Sequence, residues 1–256
     1  MVRATRHEAG DHPDCGGHTQ MADDSPRWDD REPSRRRLLR AGVAGTAAGA
    51  LSGAGLADPG TALAQNPATP DAALQALLDG NRRYVAGKPT SLTTDLALAR
   101  AKTVHKQQPF AAVLSCADSR VPVEWIFDAV IGRIFVTRVA GNIATPENIA
   151  SLEFGARFLG AKAILVLGHD GCGAVKAALD LTATPGQISG LYSYIRPAID
   201  QARATTLAPA IMANAKFQAA LLRESSPLLR QLIAKGELKI AAGIYDLATG
   251  RVELLA

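Results

Sequence analysis

Three short apolar runs constrain the fold of this chain more than any other feature. They are Phe110–Ser115, Ile134–Val139 and Ala163–Gly168. Runs of this length are typical of strands buried on both faces, and their alternation with stretches of helical spacing predicts an α/β domain with a largely parallel sheet. Two further runs, Leu238–Tyr245 and Val252–Leu255, flank a short turn sequence and predict a hairpin that adds one antiparallel edge strand.

Helices are expected to flank this sheet. Apolar residues recur at helical spacing in Pro70–Ala86, Leu92–Lys106, Pro146–Leu159, Gly173–Leu181 and Asn214–Ala234. Because no internal repeat or low-complexity segment follows Gln65, residues 65–256 are predicted to form one domain.

Residues 1–64 differ in composition and are interpreted as an export signal. The basic segment Ser34–Arg40 stands directly before Ala41–Ala57, which contains no charged side chain. A basic segment, an apolar stretch and a small-x-small exit, here Ala62–Ala64, form the layout of a signal peptide. The paired arginines Arg35 and Arg36 resemble the twin-arginine type of signal. We therefore expect residues 1–64 to be removed and residues 65–256 to act in the periplasm.

The alternative for this segment is an uncleaved membrane anchor. Its uncharged stretch is shorter than the roughly 20 residues that span a bilayer, and its many glycines disfavour a spanning helix, so no stable membrane span is expected. The possible metal ligands between His12 and His18 precede the signal and would be lost with it, or would be absent if Met21 is the true start.

The composition of the chain excludes several other classes of protein. With 47% hydrophobic and 20% charged residues, the chain has enough apolar material for a core, which excludes a disordered tail protein. Its three cysteines are too few for a disulfide scaffold. The formal net charge of +4 is too small to indicate a nucleic-acid partner.

Polar clusters follow the first and third predicted strands. Cys116, Asp118 and Arg120 come directly after the first strand, and His169 and Cys172 end the third. Because ligands bind at the carboxyl ends of parallel strands, we expect the two clusters to face each other across one crevice. Two thiolates and one imidazole suit Zn²⁺, and three protein ligands leave open the fourth position that a catalytic zinc needs.

Each of these residues also has a purely structural interpretation. Cys116 alone is typical of a small buried apolar side chain, and in an oxidising compartment Cys116 and Cys172 could form a disulfide. Asp118 and Arg120 could be the ion pair of an ordinary turn. A phosphate-binding loop is disfavoured, because the glycine-rich segment at Gly168–Gly173 lacks the Lys-Ser/Thr of a P-loop.

The segments Cys116–Pro122 and Gly168–Val175 closely resemble the β-class carbonic anhydrases. The resemblance continues through Arg138–Asn142, Ser151–Phe154 and Gly243–Gly250, so it covers most of residues 65–256. It implies zinc-dependent, reversible hydration of CO2 to bicarbonate and a proton by a zinc-bound hydroxide. It also implies that the zinc ligands are Cys116, His169 and Cys172.

The same resemblance assigns Asp118 and Arg120 as the dyad beside the metal. Asp118 would accept the hydrogen of the hydroxide, and Arg120 would keep Asp118 ionised through a charge-assisted pair. In the family this Asp can also move onto the metal, so Asp118 would be a zinc ligand in the closed form only. The departures from the family pattern are Val139, where Asn is common, and Asp170, where Ser or Thr is common.

The resemblance further implies a homodimer or a dimer of dimers with the active site near the subunit interface. The expected partner is a small-molecule substrate, CO2 or bicarbonate. Two alternative functions would use the same metal-binding residues. One is a zinc-dependent hydrolase of COS or CS2, and the other is a non-catalytic zinc-binding exported protein. His105 lies outside both clusters and is interpreted as a surface residue of the second helix rather than a proton shuttle.

Overall fold

A computed structural model describes residues 66–91 and 96–256 of the chain, and these residues contain a five-stranded sheet. Its strands are β1 (Ala111–Ser115), β2 (Ile134–Arg138), β3 (Ala163–His169), β4 (Lys239–Tyr245) and β5 (Val252–Leu255). The spatial order is β2-β1-β3-β4-β5, with β5 antiparallel to β4 and the other pairs parallel. The predicted fold class is therefore confirmed.

Two helices of the described residues precede β1, and the others lie between successive strands from β1 to β4. In chain order the helices are α1 (Pro70–Val85), α2 (Leu96–Thr103), α3 (Val123–Ile126), α4 (Pro146–Arg157), α5 (Gly173–Leu179), α6 (Tyr192–Ala202), α7 (Leu207–Ser225) and α8 (Pro227–Ala234). None of these is long and apolar enough to cross a membrane. The predicted leader over residues 1–64 and the start of the helix predicted from Leu92 lie outside the described residues.

The sheet is covered on both faces because alternate residues of a strand point to opposite sides. Val113 and Leu165 belong to a cluster with α1 and α3, whereas Leu114 and Ile164 belong to a second cluster with α4, α7 and α8. Every residue of β1 and β3 is buried. Full burial of one such aliphatic side chain contributes about 1.5–3 kcal/mol, so these two clusters stabilise the centre of the sheet.

The structure differs from the sequence prediction in four helical regions, and α7 begins at Leu207 rather than at Asn214. The single helix predicted over Asn214–Ala234 is two helices, since the Ser226 hydroxyl caps α8 by accepting from the N–H of Leu229 at 3.0 Å and Pro227 begins that helix. The short α3 was not predicted, nor was α6, which contains Pro197 in its interior. The second predicted helix ends at Thr103 rather than at residue 106.

The sheet register brings two loops to one edge. Ser115, the last residue of β1, is aligned with Leu167 of the neighbouring parallel strand β3. Cys116 therefore leaves the sheet beside His169, the last residue of β3, and both face the carboxyl edge of the sheet.

Candidate metal centre

Three buried side chains converge at the carboxyl ends of β1 and β3. One ligand atom each from Cys116, His169 and Cys172 lies within 4.8 Å of the other two. Both cysteines are free thiols, so the disulfide left open by the sequence is not the arrangement that the structure describes. The two clusters predicted to face each other thus meet in one place.

Local backbone geometry brings Cys172 into this cluster. Between it and His169 the chain turns at Gly171, whose φ of +63° lies in the left-handed region that favours glycine. Cys172 then occupies the N-cap position of α5 with extended backbone angles. Hydrogen bonds from the backbone of Val175 and Ala174, in the first turn of α5, favour its thiolate form.

The two thiols influence each other's ionisation. The hydrogen bond with Cys172 has the largest effect on Cys116 and lowers its pKa to about 4, although burial acts in the opposite direction. The pKa of Cys172 is raised, because of its hydrogen bond with Cys116 and its burial. Two thiolates in one buried space repel each other, so a neighbouring cation would be needed for both to be ionised.

The imidazole of His169 is fixed so that one nitrogen faces the thiols. Its Nδ1 pairs with the backbone carbonyl of Asp170 at 2.8 Å, and a carbonyl can only accept, so Nδ1 carries the proton. The other nitrogen, Nε2, is buried and has no hydrogen-bond partner among residues 66–91 and 96–256. A buried acceptor left without a partner costs about 1–3 kcal/mol, and a metal ion would satisfy it. Together with two thiols, this nitrogen fits Zn²⁺.

Asp118 and Arg120 form a close pair beside the cluster. Arg120 donates from Nε to Asp118 Oδ1 at 2.9 Å and from Nη2 to Asp118 Oδ2 at 2.7 Å. The backbone N–H of Arg120 also donates to Oδ1, at 2.9 Å. These side-chain bonds hold the pKa of the Asp118 carboxyl well below its usual range, so the group is ionised. Its Oδ2 lies 3.8 Å from Nε2 of His169, and the carboxylate therefore borders the cluster.

Two residues to which the sequence reasoning gave no role also contact the site. Arg138, at the end of β2, donates to the carbonyl of Cys116 at 2.9 Å and to that of Asp118 at 2.5 Å. The N–H of Gly141 donates to the sulfur of Cys116 at 3.4 Å. The sequence did offer a signal for these two residues. Arg138–Asn142 lies at the end of the second strand, which meets the same edge of the sheet as the first and third strands.

Two other residues considered from the sequence lie away from the thiols. The carboxylate of Asp170 accepts from the N–H of Leu247 at 2.7 Å, in the turn between β4 and β5, rather than approaching the imidazole. His105 is exposed in the segment that follows α2. It is therefore a surface residue, although not a helical one.

Comparison with known proteins matches most of the described residues to one protein family. A family model described as carbonic anhydrase matches residues 111–252. A carbonic anhydrase of Mycolicibacterium smegmatis is 38% identical over 192 residues, which cover 72% of this chain and 93% of that protein.

Two solved structures extend the comparison to the fold. A Coccomyxa β-carbonic anhydrase, in complex with acetazolamide, is 28% identical with a TM-score of 0.57, over 71% of this chain and 86% of that one. A tetrameric β-carbonic anhydrase of Sordaria macrospora, at 22% identity, shares the fold with a TM-score of 0.55, over 62% of this chain and 90% of that one.

Proposed function

The chain belongs to the carbonic anhydrase family, whose reaction is the reversible hydration of CO2 to bicarbonate and a proton, and we propose that it performs this reaction at a zinc ion held by Cys116, His169 and Cys172. One observation carries the proposal. The unpartnered Nε2 of His169 faces two free thiols and lies beside an ionised carboxylate.

The three donors suit the charge of the ion. Cys116 and Cys172 as thiolates would balance a divalent cation, and the neutral imidazole of His169 adds no charge. A bound Zn²⁺ lowers the pKa of a coordinated water from about 15.7 to about 7, which supplies a nucleophile at neutral pH.

In our proposal Asp118 orients the attacking water. Its Oδ2, on the side facing His169, can accept a hydrogen bond from that water while Arg120 holds the carboxylate in place. Because Arg120 keeps Asp118 ionised, the carboxylate is an acceptor only, which directs the lone pair of the water oxygen away from Asp118 and toward CO2. The pairing of Asp118 with Arg120 supports the open form of the site, in which a fourth, non-protein ligand would complete the set of donors.

The surroundings of the thiols suit an apolar substrate. Cys116 and Cys172 belong to a buried cluster with Ile143, Val175 and Ile195. CO2 has no net dipole and needs no hydrogen-bond donor to enter such a space. The apolar side chains also limit the water around the reacting atoms and so strengthen the interactions of the Asp118 carboxylate.

Zinc content and CO2 hydration, measured together on purified residues 65–256, test this function. We expect stoichiometric zinc and a hydration rate that is lost with a chelator and restored by zinc. Hydration that persists without metal, or zinc without hydration, would overturn the proposal. Turnover of COS and CS2 on the same preparation distinguishes the hydrolase alternative, which requires them to react faster than CO2.

We also propose that the chain is exported through a twin-arginine-type signal and acts in the periplasm. The support is sequence alone: Ser34–Arg40, the uncharged Ala41–Ala57 and the exit Ala62–Ala64. Fractionation followed by N-terminal sequencing tests this. A periplasmic form that begins near Gln65 is expected, and replacing both Arg35 and Arg36 with Lys should keep the protein in the cytoplasm. Full-length protein in the cytoplasm contradicts the proposal.

We propose a homodimer or a dimer of dimers as the assembly. The Sordaria relative is described as tetrameric. On this chain the ring of Phe154 contacts those of Phe135 and Phe158, and Phe158 is 59% exposed beside the edge strand β2. Sedimentation of the zinc-loaded protein tests the assembly, and a monomer at micromolar concentration would contradict it.

A further inference from the structure

The N–H of Gly141 is a hydrogen-bond donor to a proposed zinc ligand. It approaches Cys116 Sγ at 3.4 Å in the buried interior of the site. Gly141 has a φ of +78°, and a Cβ at this position would lie 2.8 Å from Cδ1 of Ile195. Glycine is favoured here, because other side chains are strained at this φ and a Cβ would also displace the end of the Ile195 side chain.

Asn214 holds the same glycine from the other side. From α7 its Nδ2 donates to the carbonyl of Gly141 at 2.8 Å, and its side chain is fully buried. Gly141 is thus fixed through both of its peptide groups, by the sulfur of Cys116 on one side and the amide of Asn214 on the other. Neither partner is near it in sequence.

Gln218, one helical turn further along α7, sets the orientation of the Asn214 amide. Its Nε2 donates to Asn214 Oδ1 at 3.1 Å, so the oxygen of that amide is already engaged and the nitrogen faces Gly141. Its Oε1 accepts from the N–H of Ala144 at 2.9 Å. The two amides therefore hold the loop after β2 at two points.

A backbone N–H that donates to a thiolate stabilises the negative charge and fixes the position of the sulfur. Loss of a hydrogen-bond partner of a metal ligand typically weakens metal affinity or activity by about 10- to 100-fold.

We propose that Asn214 is a positioning residue of the metal centre, which acts by holding the Gly141 peptide so that its N–H bonds to Cys116 Sγ. The inference rests on the proposed function, in which Cys116 is a zinc ligand. Asn214 itself does not touch the metal, the substrate or the reacting atoms.

The chain offers a matched control in Asn81, a buried asparagine of α1 whose amide bonds neither to Gly141 nor to the thiols. Its Nδ2 donates to the carbonyls of Ile126 at 3.1 Å and Gly250 at 2.8 Å, and its Oδ1 accepts from the N–H of Val252 at 2.9 Å. Replacing either asparagine with Leu removes a buried amide of similar size. Asn214→Leu and Asn81→Leu should therefore cost comparable thermal stability, while only the first changes the metal centre.

Two measurements on the full chain separate positioning from simple support of the fold. The first is zinc affinity by chelator competition, and the second is the thiolate-to-metal charge-transfer absorption of the cobalt-substituted protein. For Asn214→Leu we expect zinc binding to weaken about 10- to 100-fold and the absorption band to shift. For Asn81→Leu we expect wild-type values of both. Wild-type metal binding in Asn214→Leu, or equal losses in the two variants, would overturn the inference.

A third measurement needs no variant and applies even if Asn214→Leu does not fold. In wild-type protein loaded with the NMR-active isotope of cadmium, the amide proton of Gly141 should show scalar coupling to the metal through Cys116 Sγ. Absence of that coupling in a loaded protein overturns the inference. If the wild-type chain binds no zinc or cadmium at all, it is the proposed function that fails, so the two failures are distinguishable.

Discussion

Nε2 of His169 lies 3.8 Å from Oδ2 of Asp118, with an unpartnered nitrogen on one side and an ionised carboxylate on the other. The carboxylate is held by Arg120, and the imidazole is held by the carbonyl of Asp170. Two polar groups are thus fixed next to each other without being bonded to each other. In the proposed function one group belongs to the metal-binding part of the site and the other to its water-orienting part, and substitution should separate the two.

Substitution of any of the three donors should abolish both zinc binding and hydration. Cys116→Ser, Cys172→Ser and His169→Ala each leave only two of the donors that converge within 4.8 Å. We expect metal content near zero and CO2 hydration at the uncatalysed rate, measured by elemental analysis and stopped-flow assay. The exposed His105, replaced by Ala, is the control and should keep both. Stoichiometric zinc with near-normal hydration in any of the three variants would refute the ligand assignment.

Asp118→Asn should separate metal binding from catalysis. The carboxylate is outside the three-donor cluster, so zinc should be retained, but the neutral amide is a poorer acceptor for the attacking water. We expect kcat/KM to fall by about 100-fold or more, the usual effect of losing a proton-handling group. Asp180→Asn, which changes an exposed carboxylate paired with Lys176, is the control and should hydrate CO2 normally. If Asp118→Asn also does so, the proposed role of Asp118 is wrong.

Asp128 should make stability depend on pH. Its side chain is fully buried, and burial alone would raise its pKa. The N–H groups of Thr90 and Ser91, with the guanidinium of Arg83, outweigh burial and hold the pKa well below its usual range. Because the folded-state pKa is lowered, the stabilisation is present above the unfolded-state pKa of about 3.9 and is lost as the pH falls through the folded-state value.

We therefore expect Asp128→Asn to lower the free energy of unfolding by about 1–3 kcal/mol at pH 7 and to reduce its decrease on acidification. Asn tolerates the left-handed backbone at this position, where φ is 46°, so strain does not account for the loss. Urea unfolding at several pH values measures both effects. Asp71→Asn, which breaks an exposed pair with Lys239, should cost less than about 1 kcal/mol. Equal losses in the two variants would argue against a special role for Asp128.

Gly80→Ala should destabilise the protein although alanine is the better helix former. In α1 a Cβ at this position would overlap the carbonyl oxygen of Phe127. The gain in helix propensity is about 1 kcal/mol, and the overlap should exceed it by forcing α1 away from α3. Thermal unfolding checks the sign. Gly190→Ala, where a Cβ would meet nothing within 4 Å, should be neutral or slightly stabilising, and a stabilised Gly80→Ala would contradict the packing argument.

The strands were predictable because burial on both faces leaves a clear pattern. The runs ending at Ser115 and Gly168 correspond to β1 and β3 to within one residue at each end. The helices after Gly173 were harder, since capping decides their limits. Ser226 and Pro227 divide an apolar stretch whose sequence pattern predicts one helix. Pro197 lies inside α6, and because proline is rare in helix interiors this segment was not predicted to be helical.

The five candidate site residues were found from chemistry-bearing side chains at strand ends, and their roles remain predictions. The contacts of Gly141 and Asn214 could not be predicted from the sequence in this way. They depend on backbone groups and on partners 25 and 73 residues away, which residue type does not reveal.

Asp170 uses three polar groups to join the imidazole to the end of the chain. Its carbonyl accepts from His169 Nδ1, its N–H donates to the carbonyl of Tyr245, and its carboxylate accepts from the N–H of Leu247. Asp170 therefore bonds both to the imidazole of His169 and to the start of the β4–β5 turn. A single residue thus orients a proposed metal donor from the middle of the chain and also fixes the turn of the C-terminal hairpin.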